Sequence, residues 1–315
     1  MKKFLKYFIG SLLTIIFLLF LTEASVWLYE NEKLRQANDS YRALGMLKFH
    51  PGIKPAEILL EYFPNPEENW GRAPEGLEYK GKPVVFFGGE YTYGLNLNKE
   101  GTLPYKFAHL AKRPTYNRAL TSWGIQHMLY QSKSEHLYKQ VPEPEYVIFT
   151  HISDHFRRLY LLSFDRGYML EENLNIRYKE KNGELVQIKN IDPFLQMVKR
   201  LYLTNKLHQL YVSKHILRDS NSKNFHNFAL KHFVESKKEM QKYWKNAKFV
   251  IFIYDDLYNN DEYIENLKKE GFIVIKYDEI TNENMIAPKY RVRYNYPNEN
   301  AWDLLTPKII EKLGI

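Results

Sequence analysis

The chain has 315 residues, 44% of them hydrophobic, which supplies a sizeable core and excludes a disordered chain. Its 45 Lys and Arg outnumber its 37 Asp and Glu, for a formal charge of +8, but the excess is spread along the sequence without a groove-reading motif, so nucleic acid is not an expected partner. There is no cysteine, which excludes disulfides and thiolate metal sites, while 25 Tyr and 19 Phe point to well-filled cores or, alternatively, an aromatic-lined cleft.

Lys2, Lys3 and Lys6 precede a charge-free stretch from Tyr7 to Thr22, and apolar character resumes after Glu23 in SVWLY. Backbone groups in lipid must bond internally, so residues 7–29 are expected to form one helix of about the 20 residues that a span needs. The flanking lysines keep the amino terminus in the cytoplasm. The expectation is a single-pass bacterial inner-membrane protein whose domain faces the periplasm or cell exterior. A cleaved signal peptide is the alternative, although Thr22-Glu23-Ala24 fits a small-residue cleavage site poorly. Trp27 and Tyr29 fall where amphipathic rings mark the outer interface.

Residues 30–82 are polar and proline-containing, with the stretch FPNPEENWGRAPEG, and read as a juxtamembrane helix followed by a linker. A regular rhythm then starts. The runs PVVFFGG from Pro83, TYN from Thr115, EYVIFTH from Glu145, KFVIFIYD from Lys248 and FIVIKYD from Phe272 are short, apolar and rich in β-branched or aromatic residues, as buried strands require. Helices are expected between them, from Leu103 to Lys112, Trp123 to Lys139, Phe225 to Lys245, Glu262 to Glu270 and Glu299 to Leu313. Strands alternating with helices predict a parallel sheet covered on both faces. The interval at about residues 159–222 breaks the rhythm and reads as a helical insertion, with a small hairpin around Lys181-Asn182-Gly183. The expected organisation is an anchor at 1–29, a linker at 30–82 and one α/β domain at 83–315.

Ligands of open α/β sheets bind beyond the carboxyl ends of the strands, so the loops there matter most. KPVVFFGGEYTYGLNL, from Lys82, resembles block I of the SGNH (GDSL-type) hydrolases, a strand ending in Gly-x-Ser-x-Thr-x-Gly whose serine is the nucleophile; Glu90 stands at the serine's place. YNRALTSWGIQHML, from Tyr116, resembles block II, with Ser122 where an oxyanion-hole glycine is expected. PEYVIFTHISDHFRRLY, from Pro144, resembles block III, with Ser153 at the oxyanion Asn and Asp154 matching the Asp that follows. YNYPNENAWDLLTPKIIEKL, from Tyr294, resembles block V, with Tyr294 and Tyr296 in place of Asp and His. The resemblance implies a flavodoxin-like three-layer sandwich. It also implies that the family's chemistry is lost, since nucleophile, oxyanion donors and base are all replaced. The last histidine of the chain is His232, so no later imidazole can serve as the base.

Each candidate residue has two readings. Glu90 could bind or catalyse, or could form a structural pair with Arg157, Arg158, His127 or His155. Asp154 and His155, followed by Arg157 and Arg158, could hold an anionic group through the arginines, or one arginine could be solvated and the other paired with Asp154 or Glu90. His127 suits packing better than ligation. His151 and His155 have metal-like spacing but straddle a strand end, so neither metal nor cofactor is expected. Tyr93, Trp123, Tyr294 and Tyr296 could line a cleft suited to a glycan, or simply pack. Members of the family act on acyl groups of envelope carbohydrates. The resemblance therefore implies a catalytically degenerate binding or partner protein in envelope glycan handling. The alternatives are an esterase, acyltransferase or glycosidase-type enzyme using Glu90 or Asp154, and an envelope scaffold.

Overall fold

The computed structural model describes residues 72, 74–95, 97–120, 123–160, 176, 178–188, 223–254, 261–285, 287–291 and 296–315, with the backbone alone at 157, 160, 223, 224 and 288. It also describes seven separate positions between 11 and 25. Two compact units are present, Met1–Glu61 with Asn190–Leu217 and Tyr62–Lys189 with Arg218–Ile315. In the first, Ser11, Thr14, Phe17, Leu18, Leu21, Thr22 and Ser25 are helical and exposed, and Thr22 Oγ1 donates to the Leu18 carbonyl at 2.8 Å. No helix among the described residues is long and apolar enough to cross a membrane. The rest of the expected anchor, most of the linker and most of the expected insertion lie outside the described residues.

The second unit is built on the apolar runs. β1 (Val84–Phe87), β2 (Thr115–Asn117), β3 (Tyr146–His151), β6 (Lys248–Ile253) and β7 (Ile273–Lys276) form one sheet in the order β2-β1-β3-β6-β7, with every pairing parallel. β1 and β3 are buried along their whole length, which is why they read as continuous apolar runs instead of alternating ones. β4 (Tyr178–Lys181) and β5 (Glu184–Gln187) make the expected hairpin, with Asn182 and Gly183 both at positive φ, 53° and 83°, as a tight two-residue turn demands. Without the hairpin the order is that of a doubly wound sheet, and the chain reverses direction across the sheet between β1 and β3.

The helices are α1 (Glu90–Tyr93), α2 (Leu103–Ala111), α3 (Ile125–Ser132), α4 (Glu135–Gln140), α5 (Asp154–Tyr160), α6 (Lys223–Gln241), α7 (Asp261–Lys269), α8 (Tyr277–Ile280) and α9 (Glu299–Leu313). Phe107 of α2 and Trp302, Leu305 and Ile309 of α9 pack on Val84, Phe86, Ile148, Val250 and Phe252 from one face of the sheet. On the other face Phe233 of α6 sets its ring edge-on to Phe149, with centroids 5.0 Å apart.

One helix differs from expectation. The single helix read from Trp123 to Lys139 is two, α3 and α4. Lys133 N–H and Ser134 N–H turn back to the Tyr130 and Gln131 carbonyls, three residues earlier, and Ser134 is extended at the start of α4, the position serine favours. The boundaries of α9 are those expected. Asn298 Oδ1 accepts from Ala301 N–H at 3.1 Å and its Nδ2 donates to the Lys289 carbonyl at 2.9 Å, so one side chain caps the helix and ties down the preceding loop. Asn298→Ala is expected to cost about 1–2 kcal/mol, read as a lower urea midpoint with unchanged slope.

Candidate functional site

Gly88 and Gly89 turn the chain from β1 straight into α1. Gly88 lies at φ 148°, where a Cβ would fall 2.4 Å from Thr92 Oγ1. A Cβ on Gly89 would lie 2.8 Å from both Arg158 Nη1 and the Trp123 carbonyl oxygen and 3.0 Å from His155 Nε2, so only glycine lets α5 come this close. Gly89→Ala is expected to destabilise by about 1–3 kcal/mol by forcing Arg158 aside, again read in urea unfolding.

This close approach delivers Arg158 to Glu90. Arg158 Nη1 and Nη2 donate to Glu90 Oε2 and Oε1, each at 2.6 Å, a bidentate pair. The same guanidinium is used on its other sides. Nε donates to Asp154 Oδ2 at 2.7 Å, one helical turn earlier on α5, and Nη1 also donates to the Trp123 carbonyl at 2.7 Å. The Arg158 and Glu90 side chains are 11% and 8% exposed, Asp154 30%. Burial opposes the Arg158 charge, but Glu90 and Asp154 outweigh it and hold the guanidinium above its ordinary pKa. Two carboxylates thus face one permanently charged arginine in a nearly dry position.

The other candidates fall around this cluster. Ser153 is half-buried in the turn between β3 and α5, where its carbonyl accepts from Phe156 N–H at 3.1 Å. His155 is buried; its Nδ1 accepts weakly from Ile152 N–H at 3.4 Å, and its ring stacks on His151 with centroids 5.7 Å apart. Burial lowers the pKa of both imidazoles, that of His151 to about 3, so both are neutral. His127 Nδ1 accepts from Gly124 N–H at 3.0 Å, closing the first turn of α3, and its ring stacks on Trp123 at 5.0 Å. No group of three or more potential metal ligands occurs among the described residues. Ser122 and Tyr294 lie outside the described residues, as does the Arg157 side chain.

The aromatic candidates divide into two groups. Tyr93 and Trp123 are buried with Ala119 and Leu120, under the guanidinium of Arg72 at 4.6 Å from the Tyr93 ring centroid. Tyr296 is half-buried and packs edge-on against Tyr91 at 5.7 Å; Tyr91 in turn meets Tyr254 at 5.2 Å and accepts a hydrogen bond from Arg291 Nη1 at 3.2 Å. Tyr91 and Tyr93 are two residues apart on a helical turn, which points them to different sides. Asn117, at the end of β2, joins the loops by donating from Nδ2 to the Thr92 carbonyl at 3.1 Å and accepting from Ala119 N–H at 3.2 Å. Asn117, Tyr91, Tyr254 and Arg291 were not singled out by their sequence pattern.

The chain matches no family model and no curated protein. Among solved structures it is similar to a carbohydrate esterase (12% identity, TM-score 0.42, covering 74% of this chain and 64% of that one). It is also similar to a lipolytic protein of the G-D-S-L family from Desulfitobacterium hafniense (11% identity, TM-score 0.41, 74% and 99% covered). A third is an acetyl xylan esterase from the rumen bacterium Butyrivibrio proteoclasticus (10% identity, TM-score 0.42, 74% and 65% covered). The chain therefore spans less than two thirds of the length of the first and third.

Proposed function

We propose that this is a membrane-anchored, extracytoplasmic member of the SGNH (GDSL-type) superfamily that has lost ester hydrolysis and serves as a binding or partner protein in envelope glycan handling. The observation that carries this reading is the Glu90–Arg158–Asp154 cluster at the position of the nucleophile. Both oxygens of the Glu90 carboxylate accept from the Arg158 guanidinium, so neither is presented to attack an ester carbonyl. His155, nearby, is neutral and buried, and it sits on α5 instead of ahead of the closing helix α9. Glycoside cleavage needs two carboxylates on opposite sides of the scissile bond, whereas Glu90 and Asp154 grip the same guanidinium.

Retention of envelope glycan fragments on the immobilised full-length protein in detergent tests the binding role. Asp154, the most exposed member of the cluster, and half-buried Tyr296 are the side chains to vary. Retention that falls at least tenfold in Asp154→Asn or Tyr296→Ala supports the role, and absence of retention by the wild-type chain contradicts it. The anchor is tested separately: the intact chain should stay with the membrane pellet after alkaline extraction, and its release would exclude a spanning helix.

A further inference from the structure

Arg118 follows β2 directly and is 6% exposed. Its backbone is fixed on both sides: its N–H donates to the Phe86 carbonyl at 2.7 Å, and its own carbonyl accepts from Gln131 Nε2 at 2.9 Å. Side chains alternate along the strand, so Arg118 leaves β2 on the side opposite Asn117 and reaches α4, where Nη2 donates to Gln140 Oε1 at 2.9 Å. Nε is buried with no hydrogen-bond partner.

The partly buried Arg72 gives its guanidinium to the Gly94 and Leu97 carbonyls, and two further arginines face acids. Arg158 has Glu90 and Asp154, and the partly buried Arg113 has Glu145. Arg118 has none among the described residues: the groups around it are a neutral amide and the half-buried phenol of Tyr116. Burial lowers its pKa to about 10, which still leaves it charged at neutral pH. A buried cation without a counter-charge is strongly unfavourable, and a chain that holds one rigidly at the carboxyl end of a strand has a preorganised half of an ion pair.

We propose that Arg118 is an oxyanion-binding site, taking a carboxylate or a phosphate group onto the guanidinium edge that Gln140 leaves unfilled. This site is separate from the Glu90 cluster, whose guanidinium is already filled by the protein's own carboxylates, and does not depend on the reading given for that cluster. Planar guanidinium donors suit both carboxylate and phosphate oxygens.

The test is the thermal midpoint of the full-length protein in detergent, titrated separately with sodium acetate and sodium phosphate at constant ionic strength balanced with sodium chloride. A saturable rise is expected with at least one anion. A response to acetate alone assigns a carboxylate ligand, to phosphate alone a phosphate ligand, and to both a general oxyanion site. The rise should vanish in Arg118→Met, and half-saturation should move upward about tenfold in Arg118→Lys, which keeps the charge but not the planar fork. No saturable rise in the wild type overturns the proposal, as does an unchanged response in Arg118→Met. Should Arg118→Met fail to fold, an unchanged half-saturation in Arg118→Lys overturns it equally.

Discussion

Arg158→Ala is expected to cost about 3–5 kcal/mol of stability, far more than an exposed arginine would, because it leaves the Glu90 carboxylate in a site where its side chain is only 8% exposed. The loss comes from stranding the charge, not from any large net contribution of the pair. Glu90→Gln introduced into the Arg158→Ala chain should therefore return a substantial part of it, giving a coupling of about 1–3 kcal/mol between the two positions. Urea unfolding of the four chains, wild type, both singles and the double, measures this directly. Strictly additive losses, or an Arg158→Ala chain within about 1 kcal/mol of wild type, would show that the carboxylate finds another partner or water.

Acidification is expected to have the second large effect. His151, His155 and His232 are buried, and burial holds all three below the ordinary imidazole value, His151 at about 3 and His232 at about 4. His226 repels a proton on His151 as well, and the Phe228 carbonyl, which accepts from His232 Nδ1 at 2.8 Å, only partly offsets burial there. An unfolded chain takes up these protons near pH 6.5, while the folded one does not. Stability is therefore intact above about pH 6.5 and falls as the pH drops towards 4 and 3, by about 1.4 kcal/mol per pH unit for each histidine. Between pH 7 and 5 His151 and His232 each contribute a loss of about 2 kcal/mol, and His155 adds to it in the same direction. Urea midpoints across this range should fall steeply, and His151→Phe should flatten the slope by about one proton. A midpoint that stays level from pH 7 to 5 would mean that these imidazoles are protonated in the fold.

The sheet was legible because its chemistry is local. A parallel strand covered on both faces must be apolar throughout, and VVFF, YVIFTH and KFVIFI leave little room for another reading. The hairpin was legible from Asn182-Gly183 and the closing helix from Asn298 followed by amphipathic spacing, each a matter of a few adjacent residues. The break at Lys133-Ser134 was not, since it depends on a competition between continuing a helix and turning it at a serine, which sequence periodicity blurs. The pairing of Glu90 was legible only as a set of four partners. Arg158 is the one chosen because α5 begins at Asp154, which places Asp154 and Arg158 on one helical face and carries that face over Gly89. Arg118 gave no local signal, because what distinguishes it is the absence of acids on elements distant in sequence. Tyr93 packs with Trp123 while Tyr296 packs on Tyr91, a division set by contacts between elements distant in sequence.

Hydrolysis of p-nitrophenyl acetate by the full-length protein in detergent, beside Glu90→Ala and Glu90→Ser, most directly tests the proposed replacement of a nucleophile by the Glu90–Arg158 ion pair. Glu90 held by Arg158 predicts no turnover above the buffer blank in the wild type or in Glu90→Ala. The same is predicted for Glu90→Ser, since the last histidine is His232, so none stands ahead of the closing helix α9, and the buried His155 already uses Nδ1 to accept from Ile152 N–H. Wild-type turnover that disappears in Glu90→Ala would contradict it.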